Sequence, residues 1–169
     1  VNGGVPVNVP ALTVNRVCGS GAQAIATAAD EIWLGHHDVA VAGGMENMDR
    51  APYLMEGGRW GHRMGHAQIL DSMLKDGLVD AFSGEHSGWH TEDLASRSQI
   101  GREAQDAWAA RSQARFARAQ AAGAFEAEIA PIEVKGRKGS ETFARDEAPR
   151  PETSVETLAK LKAAFRKDG

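Results

Sequence analysis

Cysteine is almost absent from this sequence. Cys18 is the only one in 169 residues, so no disulfide forms within the chain, and a reducing, cytoplasmic compartment is the expectation. Long apolar runs are missing as well. Nothing approaches the ~20 residues of a membrane span, and the opening VNGGVPVNVPALTVN has neither the basic nor the apolar stretch of a secretory leader. There is no excess of positive charge: 19 Lys and Arg face 23 Asp and Glu, a net of −4, which argues against nucleic acid as a partner. Metal-ligand spacing is also lacking. His36 and His37 are adjacent and would point to opposite faces of a strand. His62 and His66 are four apart, but Gly61 and Gly65 disfavour a helix that would align them. No metal and no membrane are expected. Repeats and low-complexity segments do not occur. The chain opens with Val1 rather than Met, directly in an extended pattern, so a piece of a longer protein is expected.

What is present is a foldable α/β pattern. Hydrophobic residues make up 42% and charged residues 25%, enough for one ordinary domain or two small ones. VPALTVNRV reads as a strand. Residues 19–34 read as a helix, with Ala22, Ile25, Ala26, Ala29, Ile32 and Trp33 on one face and Gly35 as its stop. Val39 to Ala42 read as a buried strand, which completes a βαβ unit. After Met48 the texture changes to DRAPYLMEGGRWGHRMGH, a long loop of the kind that tends to be functional. AQILDSMLKDGL reads as a short helix with Gly77 behind it, and TEDLASRSQIG as another. REAQDAWAARSQARFARAQAAG is the strongest helix, with a stripe of Ala107, Ala110, Ala114, Ala117 and Ala121 ended by Gly123. EIAPIEVKGRKGSETFARDE reads as two strands around a basic turn, Lys135 to Gly139, and SVETLAKLKAAF as a final amphipathic helix.

The setting of Cys18 is its most informative feature. The residue stands between a strand-like approach and a helix, followed by Gly-Ser-Gly. A sulfur at the start of a helix meets unpaired N–H groups and the positive end of the macrodipole, which favour negative charge. Gly19 and Gly21 permit a sharp turn and close approach of a substrate. One turn can then hold a nucleophile and, through the Cys18 N–H, part of an oxyanion hole. The competing reading is a small apolar core residue, common for free cysteines.

Three stretches, NRVCGSGAQAI, VAGGMENMDRAPYL and GGRWGHRMGHAQILDSMLKDGLVDAFSGEHSG, resemble the thiolase family, in its biosynthetic-type acetyl-CoA acetyltransferase branch. The similarity continues through REAQDAWAARSQ, EIAPIEVKGRKG and LAKLKAAFRKDG, nearly the whole chain. The resemblance implies a fragment of an αβαβα layered α/β fold with an inserted α+β loop domain. Residues 1–48 would be the latter part of the N-terminal domain, and residues 49–169 the loop domain that covers the active site and binds coenzyme A. It implies an acyltransferase that forms or cleaves 3-ketoacyl-CoA through an acyl-cysteine on Cys18. It places His86 against the pantetheine arm, Ser87 beside it, Leu78 in the wall of the same tunnel, and Arg150, Thr157 and Phe165 around the nucleotide and arm of CoA. No cofactor is implied beyond CoA thioesters as substrates, and the parent protein is expected to be a homotetramer or dimer acting in fatty acid metabolism.

From pattern alone, Leu78 and Phe165 read equally well as core, and Arg150, between two prolines, as a surface charge. The basic KGRKG reads as a solvated hairpin tip or as an attractor of CoA phosphates. The sequence departs from the family in three places. Ser87 replaces a Met, which widens the acyl pocket or makes it more polar. Trp89 and His90 stand where small residues are usual. The family's Gly-His-Pro motif, whose His activates the nucleophile, and its Cys-x-Gly motif, whose Cys is the second acid/base, do not occur in these residues. The second reading is therefore a non-catalytic CoA-binding or oligomer-assembly module.

Overall fold

A computed structural model describes residues 3–137 and 139–169. The chain forms two compact units, Val1–Gly84 and Glu85–Gly169. This boundary reflects where the chain packs on itself. It falls well beyond Met48, where the composition changes.

The first unit is built on helix α1, Ser20–Trp33. Its limits follow from local chemistry. The helix starts behind Gly19 and stops at Gly35, which takes φ 75°. There the Gly35 and His36 N–H groups return to the Ile32 and Glu31 carbonyls, a closing motif in which glycine carries the left-handed residue. Short 3-10 turns follow at Met48–Arg50 and Gly58–Trp60. Strand β1, Tyr53–Leu54, pairs antiparallel with β2, Leu70–Asp71. A π-type helical segment, Met73–Leu78, closes the unit. The single helix expected over 67–78 is thus divided. Leu70 and Asp71 are drawn into a ladder, and the Asp71 carboxylate accepts the Met73 N–H at 2.9 Å to start the helix there. Gly77 lies inside this segment rather than behind it. Lys75 donates to Glu56 at 2.5 Å, and that hydrogen bond holds its ammonium above its ordinary value of 10.5.

Two expected strands do not form. Residues 9–17 and 39–42 belong to no ladder, apart from an isolated bridge between Arg16 and Cys18. Val39 and Val41 are 83% and 98% exposed rather than buried. The apolar sequence is real, but a strand exists only where another backbone answers its N–H and C=O groups. Among the described residues none lies alongside, so the βαβ unit is not closed within this chain.

The second unit contains α2 (Ser87–Arg97), α3 (Arg102–Ala121), the hairpin β3 (Ile132–Gly136) and β4 (Gly139–Phe143), and α4 (Val155–Leu158). Helix α3 forms as its periodicity predicts and closes at Gly123, φ 72°, in the same way as α1. The hairpin also forms as expected, in register from Ile132 opposite Phe143 to Gly136 opposite Gly139. Lys138, in the predicted basic turn, lies outside the described residues. Helix α2 begins four residues earlier than its sequence suggests, because His86 caps it. Helix α4 is one turn long rather than three. The Leu158 carbonyl, which the next turn would use, is taken by the Leu161 N–H and by the Arg102 guanidinium at 2.6 Å, and Arg102 also binds the Leu161 carbonyl at 3.0 Å. Arg102 is fixed in turn by Asp106, at 2.9 and 3.0 Å. Asp106 is the only buried residue among those described.

Candidate active site

The Cys18 turn is assembled from six consecutive residues, Asn15 to Ser20. The Asn15 side-chain oxygen accepts the Val17 N–H at 3.0 Å. The Arg16 carbonyl accepts the Gly19 N–H at 2.9 Å, and the Val17 carbonyl accepts the Ser20 N–H at 3.1 Å. The Ser20 hydroxyl accepts from the Arg16 N–H at 2.9 Å and donates to the Val17 carbonyl at 2.7 Å. The Arg16 guanidinium reaches along α1 to Gln23 at 2.7 Å. Within this knot Val17 adopts φ 48°. A β-branched residue in the left-handed region costs roughly 1–3 kcal/mol, and such strain persists only where neighbours over-determine it. The result is a free, exposed thiol immediately ahead of Gly19 and the first turn of α1. The placement at a tight turn before a helix is the one its sequence predicts.

The first turn of α1 also meets a distant part of its own unit. A Cβ on Gly44 would lie 3.0 Å from the Gly21 Cα and 3.1 Å from its nitrogen. The two backbones touch, so Gly43-Gly44 serves as a seat for the nucleophile helix rather than as the end of a strand. Leu78, the other candidate in this unit, is half-buried at the end of the π-type segment.

In the second unit, His86 is the N-cap of α2. Its Nδ1 accepts the Gly88 N–H at 3.0 Å, so this nitrogen carries no proton in the arrangement described. The imidazole stacks on Phe165, ring centroids 4.9 Å apart and planes at 29°. The Phe165 ring lies over Gly88 so closely that a Cβ there would come within 2.1 Å of it. Two sequence candidates 79 positions apart are thus in ring contact, with Ser87 exposed beside them as the first residue of α2. Next to this pair, Arg166 places its guanidinium 4.7 Å from the Trp89 ring and forms an ion pair with Asp93. The contact is of the cation–π kind, with the guanidinium over the indole face.

Arg150 lies on the approach to α4, and Thr157 lies within it. The Arg150 N–H donates to the Gln113 side chain at 2.7 Å, and its residue is exposed. The Thr157 hydroxyl accepts from the Ser154 N–H at 2.9 Å, and its own N–H donates to the Ser154 hydroxyl at 3.3 Å. This capping box turns the Thr157 side chain toward its own backbone. Glu156 belongs to the same cap: the hydrogen bond from Ser154, aided by its own backbone, holds its carboxyl below the ordinary 4.5. Among the described residues no group of three or more His, Cys, Asp or Glu could hold a metal.

Sequence reasoning missed Ser20, Gly44, Gly88 and Gln113. Only Ser20 left a local signal, as a hydroxyl two residues after the cysteine. The other three act through contacts with residues far away in the chain.

Comparison with known proteins adds the following. A family model described as the thiolase N-terminal domain matches residues 1–169. An acetyl-CoA acetyltransferase of Pseudomonas aeruginosa is 53% identical over 170 residues, spanning all of this chain and 43% of that protein. A probable acetyl-CoA acyltransferase of Staphylococcus epidermidis is 46% identical with the same coverage. Among solved structures, the Bacillus anthracis acetyl-CoA acetyltransferase superposes with a TM-score of 0.93 at 41% identity, over 99% of this chain and 42% of that one. Human mitochondrial 3-ketoacyl-CoA thiolase gives 0.91 at 41% identity, over 98% and 42%. The chain spans less than half the length of these relatives.

Proposed function

The chain belongs to the thiolase family, and from that premise we propose that it carries the nucleophile of an acyltransferase that forms or cleaves 3-ketoacyl-CoA. The observation that supports this best is the exposed Cys18 thiol on a strained, multiply bonded turn at the head of α1. The deprotonated sulfur attacks the thioester carbonyl of an acyl-CoA, a tetrahedral oxyanion forms, and CoA leaves as its thiol. The α-carbanion of acetyl-CoA then attacks the acyl-cysteine and releases the 3-ketoacyl-CoA; thiolysis is the reverse. By the resemblance, the base that takes the Cys18 proton and the second acid/base belong to the Gly-His-Pro and Cys-x-Gly motifs, which lie outside these residues.

In this reading residues 1–48 present the nucleophile and residues 49–169 bind coenzyme A. Coenzyme A is substrate and not a resident cofactor. His86 and Phe165 act together as one wall against the pantetheine arm, a role to which their stacking lends support, and Ser87 borders the acyl group. Leu78 lines the tunnel, and Arg150 and Thr157 flank the nucleotide. The parent enzyme is a cytoplasmic homotetramer or dimer of fatty acid metabolism. The exposed apolar side chains, among them Val41, Met45, Met64 and Phe82 at 96% or more, favour assembly and keep the second reading, a CoA-binding or assembly module without catalysis, in play. The test is incubation of the intact protein with acetyl-CoA and mass analysis. One acetyl group on the Cys18 peptide, absent from Cys18→Ala, is the expected result. CoA bound without any acetyl-cysteine would replace this reading with the second.

A further inference from the structure

We propose that Ser20 is the positioning residue of the nucleophile, holding the backbone that presents Cys18. This deepens the acyltransferase reading and rests on it. The Ser20 hydroxyl spans the turn with both of its hydrogen-bonding capacities, accepting the Arg16 N–H at 2.9 Å and donating to the Val17 carbonyl at 2.7 Å. The two bonds enclose Val17, whose φ of 48° is the strained element of the turn, and Val17 is bonded directly to Cys18. The remaining ties are the Asn15–Val17 bond on one side and the two backbone turns on the other. None of these holds both the donor before Val17 and the acceptor after it.

Removal of the hydroxyl leaves the Arg16 N–H without its acceptor and the Val17 carbonyl held by the Ser20 N–H alone, at 3.1 Å. Val17 then relaxes toward negative φ, where a β-branched residue is unstrained. That relaxation turns the peptide joining Val17 to Cys18 and swings the sulfur. Acyl transfer depends on the angle and distance of attack, and a misplacement of about 1 Å costs about a hundredfold. Reaction with a small, freely diffusing electrophile has no such requirement. Ser20 itself touches no reacting atom. Threonine keeps the hydroxyl on the same carbon and restores both bonds.

The test compares the intact protein with Ser20→Ala and Ser20→Thr in three measurements: acetylation of Cys18 by acetyl-CoA, alkylation of Cys18 by iodoacetamide, and amide hydrogen exchange at Arg16. In Ser20→Ala, acetylation is expected to fall about tenfold to hundredfold while alkylation changes less than about threefold. Exchange at Arg16 is expected to speed up about tenfold, with the later turns of α1 unchanged. Ser20→Thr is expected to return all three toward the parent values. Acetylation at the parent rate in Ser20→Ala, or an equal fall in acetylation and alkylation, overturns the inference. So does failure of threonine to rescue. If the parent protein is never acetylated, the acyltransferase reading falls instead, and unchanged Arg16 exchange in Ser20→Ala would then dispose of the Ser20 role separately.

Discussion

At Gly44 a single missing carbon decides a contact. Any side chain there would meet the Cα and nitrogen of Gly21 at 3.0 and 3.1 Å, and Gly21 sits in the first turn of the helix that carries the thiol. Both obstructing atoms are backbone, so no rotamer change relieves the overlap. Gly44→Ala is expected to destabilise this contact by about 1–3 kcal/mol and to accelerate amide exchange in the first turn of α1. Unchanged exchange would show that the turn does not depend on this seat. Glu156 offers a second test on a single side chain. Its folded carboxyl is held below the ordinary 4.5 by the Ser154 hydrogen bond. Its contribution to the α4 cap is therefore present above the unfolded value and is lost as pH falls through the lowered folded value. Acidification should loosen the Ser154–Thr157 box, read as a change in the backbone NMR shifts of these residues. Glu156→Gln should remove that pH dependence; a transition that persists in Glu156→Gln assigns it to another group.

At the scale of elements, two helix ends are open to test. Helix α2 closes at Gln99, φ 56°, with the Gln99 and Ile100 N–H groups returning to the Ser96 and Ala95 carbonyls. The ends of α1 and α3 use Gly35 and Gly123 for the same conformation. A left-handed non-glycine residue costs about 1 kcal/mol, so Gln99→Gly is expected to stabilise α2 by up to that amount, seen as slower exchange of its last-turn amides. Faster exchange would mean that the Gln side chain contributes more than its backbone strain costs. Arg102 joins two elements at once. Arg102→Ala leaves the buried Asp106 carboxylate without its ion pair, the Leu161 carbonyl without the guanidinium, and the Leu158 carbonyl with the Leu161 N–H alone. The expected cost is about 2–3 kcal/mol, with loss of α4 while the far turns of α3 persist in exchange measurements. Retention of α4 would place its stability in the Ser154 cap alone.

At the scale of the whole molecule, the described residues include no buried hydrophobic side chain. Ile25, Ile32 and Trp33 on α1 and Ile132, Val134 and Phe143 on the hairpin are 40% exposed or more. Apolar faces of this extent call for a partner surface, so the isolated chain is expected to self-associate and to bind a hydrophobic dye. A monodisperse monomer with a cooperative melt, by ultracentrifugation and calorimetry, would contradict this. The sequence by itself determined α1, α3, the β3–β4 hairpin and the position of Cys18 just ahead of a helix. Helical periodicity, glycine stops and a tight turn are settled by bonds between residues a few positions apart, and these are legible in order. Only the tertiary structure decided that residues 9–17 and 39–42 stay unpaired, that α4 ends after one turn under Arg102, that His86 caps α2 and stacks on Phe165, and that Gly44 lies close against Gly21. Each of these depends on a backbone, a guanidinium or a ring brought in from far along the chain, and the apolar pattern of a strand states that it needs a neighbour without naming which one.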